Sequence, residues 1–144
     1  MGDDRNRDDP TRCGGCQCGA VRYRIDGDPL VLAICHCTQC QRQSGSAFGM
    51  SLIVDDTQLE VSGELSSYTR DSELGKPVTG YFCPTCGTRV YHRAQRFEGK
   101  TNIKAGTLDD TSALAPVLQS WTETKQPWLE LAVEIPAASK QPST

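Results

Sequence analysis

The sequence predicts an all-β fold with one or two helical turns. Apolar residues alternate with polar ones, as where Val21, Tyr23 and Ile25 interleave Arg22 and Arg24, the period of a half-buried strand. Turn residues punctuate such runs at the spacing of ~8–12 residues expected of an all-β chain. No stretch of a dozen residues keeps a clean helical period.

In chain order, the Val21–Ile25 strand is closed by Gly27-Asp28-Pro29, a turn sequence. Leu30 to Ile34 is a short apolar run leading into Cys35, and a helical turn is expected over Thr38–Gln43. Phe48 to Val54 forms the next strand, ended by Asp55-Asp56, and Leu59 and Val61 alternate before Gly63. Tyr81-Phe82 runs into Cys83, and Val90-Tyr91-His92 follows Cys86. Ile103 and Ala105 alternate before Gly106, a second helical turn is expected over Leu108–Leu114, and Val117–Trp121 and Trp128–Val133 complete the strands.

With 144 residues the chain suits one domain. The folded unit is expected over residues 12–135, with disordered tails at 1–11 and 136–144, which lack apolar anchors. No apolar run approaches the ~18 residues of a membrane helix. The net charge of −3 argues against a surface built to grip nucleic acid. Met1 to Pro10 is charged and has no apolar core of a secretory signal. A cytoplasmic location is therefore expected, where thiols stay reduced. Clustered Cys in that setting are metal ligands or catalysts before they are disulfides.

The eight Cys stand at 13, 16, 18, 35, 37, 40, 83 and 86. Gly14-Gly15-Cys16-Gln17-Cys18-Gly19 sets a C-x-C between glycines, and Cys83-Pro84-Thr85-Cys86-Gly87 is a C-x-x-C knuckle followed by Gly. In such a knuckle the chain wraps a metal tightly, backbone N–H groups face the thiolates and Gly takes the positive-φ position. Cys16, Cys18, Cys83 and Cys86 make the natural quartet for a closed tetrahedral Zn²⁺ site. A redox dithiol at Cys83–Cys86 is the alternative.

Cys35-His36-Cys37-Thr38-Gln39-Cys40 offers three thiolates within six residues. Closed zinc sites are structural, whereas catalytic ones keep a position open. A Zn²⁺ held by three soft donors generates hydroxide poorly and suits the binding of a further thiol as thiolate. The competing reading is a fourth ligand from Cys13, His36 or His92. An iron–sulfur cluster lacks its familiar spacings here.

At these motifs the sequence resembles the glutathione-dependent formaldehyde-activating enzyme family, which includes the centromere protein V relatives. The segments that carry the resemblance are Gly14 to Tyr23, Cys35 to Phe48, Phe82 to Thr88, Gly106-Thr107-Leu108-Asp109-Asp110, Trp121 and Lys125-Gln126-Pro127-Trp128. The resemblance implies packed, curved antiparallel sheets with zinc knuckles and two Zn²⁺ per chain. Cys16, Cys18, Cys83 and Cys86 would hold a structural zinc, and Cys35, Cys37 and Cys40 a second, exchangeable one. It implies carbon–sulfur lyase chemistry on a thiol–aldehyde adduct such as S-hydroxymethylglutathione, with a small thiol, glutathione among them, as partner. Gln119 stands where many members carry His, and Gln41 where a basic residue is common.

A thiol entering the second site would have its pKa drawn below the ~8.5 of free cysteine and attack an aldehyde carbon. Neither the proton donor nor the oligomeric state is legible. Catalytic side chains are likewise unassigned. His36, between two ligands, is expected to point away from the metal. His92 reads as a strand residue with ordinary hydrogen bonding, Trp121 and Trp128 as core or pocket wall, Asp109-Asp110 as a turn, and Cys13 as a free thiol. The other functional class is a non-catalytic zinc-ribbon protein-interaction module.

Overall fold

Period-two alternation builds two layers. In β2 (Arg22–Asp26) Tyr23 and Ile25 are buried while Arg22 is exposed. This strand lies between β1 (Thr11–Gly15) and β5 (Leu59–Ser62), and both pairings are antiparallel. The second layer has seven strands. Its order is β10 (Leu118–Ser120), β3 (Val31–Cys35), β4 (Gly49–Asp55), β9 (Lys100–Lys104), β8 (Arg89–Ala94), β7 (Pro77–Phe82) and β6 (Ser66–Asp71). Neighbours are antiparallel except β10, which runs parallel to β3. These elements come from a computed structural model whose described residues are 11–73, 75–131 and 135–142.

One face of the large sheet forms the core. Leu52 and Val54 of β4, Val90 and Tyr91 of β8 and Ile103 of β9 pack with Val21, Tyr23 and Ile25. On the opposite face the register aligns Ala33, Ser51 and Lys104 in one row. The next row holds Ile53, Asn102, His92, Gly80 and Tyr68. The helix α1 (Thr38–Ser44) sits on this second face, with Cys40 against Gly49. Gly45, at φ 62°, ends α1 and returns its N–H to the Gln41 carbonyl, the left-handed cap that glycine adopts without a Cβ penalty.

The β-rich class holds, and most expected strands form. β1 and β6 are additions: Thr11 begins a strand instead of ending a tail, and β6 is mostly exposed. Leu108–Leu114 is not helical. Leu108 is buried and bridges Gly14, and the Asp109 N–H bonds the Cys13 carbonyl. Trp128 to Leu131 forms no strand, because the chain turns through a Leu129 N–H bond to the Gln126 carbonyl. Trp128 is 70% exposed instead of lining a core. Residues 132 and 133 of that expected strand lie outside the described residues, as do 1–10 and 143–144 of the expected tails. Within the expected C-terminal tail, Pro136, Ala138, Ser139 and Lys140 run beside Gln119–Glu123 and exchange five backbone hydrogen bonds with them, 2.9–3.3 Å long. β10 is a short strand, and this run gives its outer edge the partners it would otherwise lack.

Candidate metal centres

The first cluster joins two chain segments that are remote in sequence. Cys16 and Cys18 follow β1, and Cys83 and Cys86 lie between β7 and β8. Each pair sits in a tight reversal. Gly19 at φ 84° returns its N–H to the Cys16 carbonyl at 3.1 Å, and Gly87 at φ 79° returns its N–H to the Cys83 carbonyl at 2.8 Å. Backbone N–H groups aim at the sulfurs, Val21 to Cys16 Sγ at 3.2 Å and Cys86 to Cys83 Sγ at 3.5 Å. Thr88 ties the halves together: its Oγ1 accepts the Gln17 N–H at 3.0 Å and lies 3.3 Å from Cys86 Sγ. That contact, with the N–H of Thr88 itself, holds the Cys86 thiol down at about 5.

All four sulfurs lie within 4.8 Å of one another. Cys16 to Cys18 is 3.6 Å and Cys18 to Cys83 is 3.8 Å. Thiolates ~2.3 Å from a central Zn²⁺ stand at tetrahedron edges of about 3.8 Å, whereas a disulfide needs ~2.05 Å. All eight Cys are free. The set fits a metal ion, and Cys83–Cys86 is part of a four-sulfur cluster instead of an isolated dithiol.

The second cluster is local. Cys35 ends β3, Cys37 is the N-cap of α1 and Cys40 lies in its first turn. Their sulfurs also lie within 4.8 Å of one another. Cys37 Sγ accepts the Cys40 N–H at 3.2 Å. Hydrogen bonds from the Cys35 and then the Cys40 thiol hold Cys37 down at about 2; contacts with Cys35 and then Cys37 push Cys40 up, and the contact with Cys37 pushes Cys35 up. Each of the three converging thiols thus perturbs the ionisation of the others; a bound cation would let all three ionise.

Among the described residues no fourth Cys, His, Asp or Glu joins this trio. Cys13 is exposed on β1. His36 is fully buried and turned toward Gln119, its Nε2 2.9 Å from Oε1, with its ring edge-on to Phe48. His92 projects from β8, its Nδ1 buried without a hydrogen-bond partner, so the ordinary strand hydrogen bonding expected of it is not made at that nitrogen. Asp109, expected only in a turn, receives two hydrogen bonds from Arg22, Nη1 to Oδ1 at 2.9 Å and Nη2 to Oδ2. Beside α1, Thr38, Gln41, Arg42, Ala47 and Gln126 line an open hollow of about 530 Å³.

Comparison with known proteins identifies the family. The sequence profile described as "Glutathione-dependent formaldehyde-activating enzyme" matches residues 11–124. The chain belongs to the glutathione-dependent formaldehyde-activating enzyme family. A Halomonas elongata protein named "Putative glutathione-dependent formaldehyde-activating enzyme" is 27% identical over 124 residues, covering 82% of this chain and 79% of that protein. The crystal structure of a Rhodobacter sphaeroides protein superposes with a TM-score of 0.55 at 21% identity, covering 72% of this chain and 91% of the other, and shares the fold.

Gln119 and Gln41 both turn their side chains inward. Gln119 Oε1 meets the buried imidazole of His36. Gln41 Nε2 donates to the His36 and Thr124 carbonyls at 2.8 and 3.0 Å, and its Oε1 accepts from Gln126. Together they fix the Cys35–Cys40 segment against the 119–126 loop. Thr88 escaped the sequence reading, because its role depends on a contact across 71 positions.

Proposed function

We propose that this chain is a zinc-dependent carbon–sulfur lyase acting on a thiol–aldehyde adduct such as S-hydroxymethylglutathione, in either direction. The observation that carries the reading is the asymmetry between the clusters, four sulfurs in one and three in the other. Cys16, Cys18, Cys83 and Cys86 would hold a structural Zn²⁺, and Cys35, Cys37 and Cys40 an open one. When bound at the open site, Zn²⁺ would bind an incoming thiol and lower its pKa.

The chain's own residues do the positioning. The α1 cap and β3 hold three sulfurs on one local segment, so this site is assembled independently of the first. Gln41 and Thr124 Oγ1 both donate to the His36 carbonyl, the latter at 2.9 Å, fixing the backbone between Cys35 and Cys37. Thiol addition to an aldehyde needs little beyond a thiolate and proximity, and holding the two reactants together supplies the latter. No helix among the described residues is long and apolar enough to cross a membrane; the proposed small-thiol substrate goes with a proposed cytoplasmic location.

Metal content before and after mild chelation tests the reading. Two zinc ions per chain are expected, one readily removed and restored. Glutathione and formaldehyde should exchange with their adduct faster with the fully loaded protein than with the singly loaded one, followed by exchange NMR. One tightly held ion, or equal rates for the two forms, would overturn it.

A further inference from the structure

Among the described residues Trp121 is the one non-glycine at positive φ, with φ 57° and ψ 41°. A bulky residue there is an outlier, because its Cβ crowds the following carbonyl. Such a conformation persists only where the surroundings impose it. Residues 136–141 supply those surroundings. The Trp121 N–H donates to the Lys140 carbonyl at 3.3 Å, and its indole N–H to Gln141 Oε1 at 3.4 Å. The flanking N–H groups of Gln119, Thr122 and Glu123 donate to the Pro136, Ala138 and Ser139 carbonyls, and the Ala138 N–H returns to the Gln119 carbonyl.

On its other side, the bend at Trp121 aims the next turn at the three-sulfur cluster. The Thr124 N–H donates to the Trp121 carbonyl at 3.2 Å, and Thr124 Oγ1 donates to the His36 carbonyl at 2.9 Å. The Thr124 carbonyl accepts from Gln41, and the His36 N–H donates to the Ser120 carbonyl at 3.0 Å. His36 is fully buried and stands between Cys35 and Cys37. The strained residue therefore lies between the 136–141 segment and the sulfurs. That segment is lightly held. Pro136, Ala137, Ser139, Lys140 and Gln141 are exposed, and Ala138 is only half-buried. A segment kept in place by exposed backbone hydrogen bonds with little apolar burial opens at low free energy. Opening withdraws the partners that impose the left-handed conformation. Trp121 then relaxes toward the right-handed region and carries Thr124 off the His36 carbonyl.

We propose that residues 136–141 are a releasable strap that governs the grip of Cys35, Cys37 and Cys40 by holding Trp121 in its left-handed conformation. With the strap docked, the three sulfurs are set for a metal; with it released, they loosen. Trp121 is a positioning residue that acts through Thr124 and His36. The proposal rests on the open-site reading above and adds a means of regulating that site from the opposite side of β10.

The test reads zinc affinity and backbone opening on the full chain. Trp121→Ala trims the ring but keeps a Cβ and hence the disfavoured φ, whereas Trp121→Gly removes that penalty. Ala138→Pro deletes the N–H that the Gln119 carbonyl receives and so releases the strap. Competition against a chromophoric zinc chelator should show the weaker of two zinc affinities falling about tenfold when Ala138→Pro is made in the wild type or in Trp121→Ala. Made in Trp121→Gly, the same change should cost less than about threefold. The tighter zinc, at Cys16, Cys18, Cys83 and Cys86, should not move. Hydrogen exchange of the singly loaded chain, followed by mass spectrometry over residues 35–44, should accelerate in the same order. Thr122→Val removes the 3.1 Å bond from Oγ1 to the Ala138 carbonyl and gives the same comparison at smaller amplitude if Ala138→Pro fails to fold. Equal losses in all three backgrounds, unchanged exchange over 35–44, or a parallel loss of the tighter zinc would overturn the strap. If the wild type takes up a single zinc while exchange follows the expected order, the strap stands and the open-site reading fails.

Discussion

Gly49 is pressed against Cys40: a Cβ at 49 would stand 3.0 Å from Cys40 Cβ and 3.4 Å from its Sγ. The trio is therefore held from below by the absence of a side chain. Gly49→Val should push α1 off the sheet and lower the zinc content from two ions toward one. The four-sulfur cluster, which shares no residue with this contact, should keep its metal. Metal analysis with thiol counting on the purified variant decides it, and two retained ions would contradict it.

Cys83 and Cys37 should behave oppositely. Cys83 is fully buried and belongs to the cluster that ties the 16–18 segment to β7 and β8. Cys83→Ser removes a proposed zinc ligand, and because metal binding is coupled to folding the loss should be several kcal/mol, enough to lower the melting temperature sharply. Cys37→Ser should leave the melting temperature within a few degrees and abolish the protein's acceleration of glutathione–formaldehyde adduct exchange, returning it to the uncatalysed rate. Thermal melts read beside exchange NMR distinguish the two.

Gln119 carries the only hydrogen bond to the buried His36 ring that the structure shows among its described residues. Gln119→Leu leaves that nitrogen unpaired at a cost of about 1–3 kcal/mol. The urea midpoint should fall accordingly, whereas Gln119→His, which offers another ring nitrogen, should lose less. Equal midpoints in wild type and Gln119→Leu would show the contact to be dispensable.

His92 sets a pH dependence. Burial, helped by neighbouring cations, holds its folded-state pKa well below the ordinary 6.5. Below that value the unfolded chain binds a proton that the folded chain refuses, so folding stability falls as pH falls and is unaffected above it. His92→Gln removes this sensitivity. Its urea midpoint relative to wild type should rise from pH 7 to pH 5, both proteins sharing any acid effect on the thiolates. Parallel curves would contradict the buried neutral imidazole.

The legible part of this molecule was what lies close in sequence. The alternation in Val21–Ile25, the helical segment at Thr38–Gln43, the Cys35–Cys37–Cys40 trio and the pairs Cys16–Cys18 and Cys83–Cys86 all follow from local spacing. β6 escaped because Ser66–Asp71 is a polar edge strand, with no buried face to impose alternation. Trp128–Leu131 misled because aromatic and aliphatic residues there occupy a turn, not a strand. A grouping of bases on the large sheet was invisible for a different reason: Arg70, Arg89, His92 and Lys104 come from three strands, β6, β8 and β9, and only their register places them together.

The two clusters differ in the span of chain each must close, and this orders their assembly. Cys35, Cys37 and Cys40 lie within six residues, so a nascent or unfolded chain can gather them at little entropic expense. Cys18 and Cys83 are 65 residues apart, and their meeting must await both sheets. The local trio is thus placed to capture a metal early. The distant quartet closes last, as a latch that records completed folding, and refolding with limiting metal should pass through a singly loaded species whose ion sits at the trio.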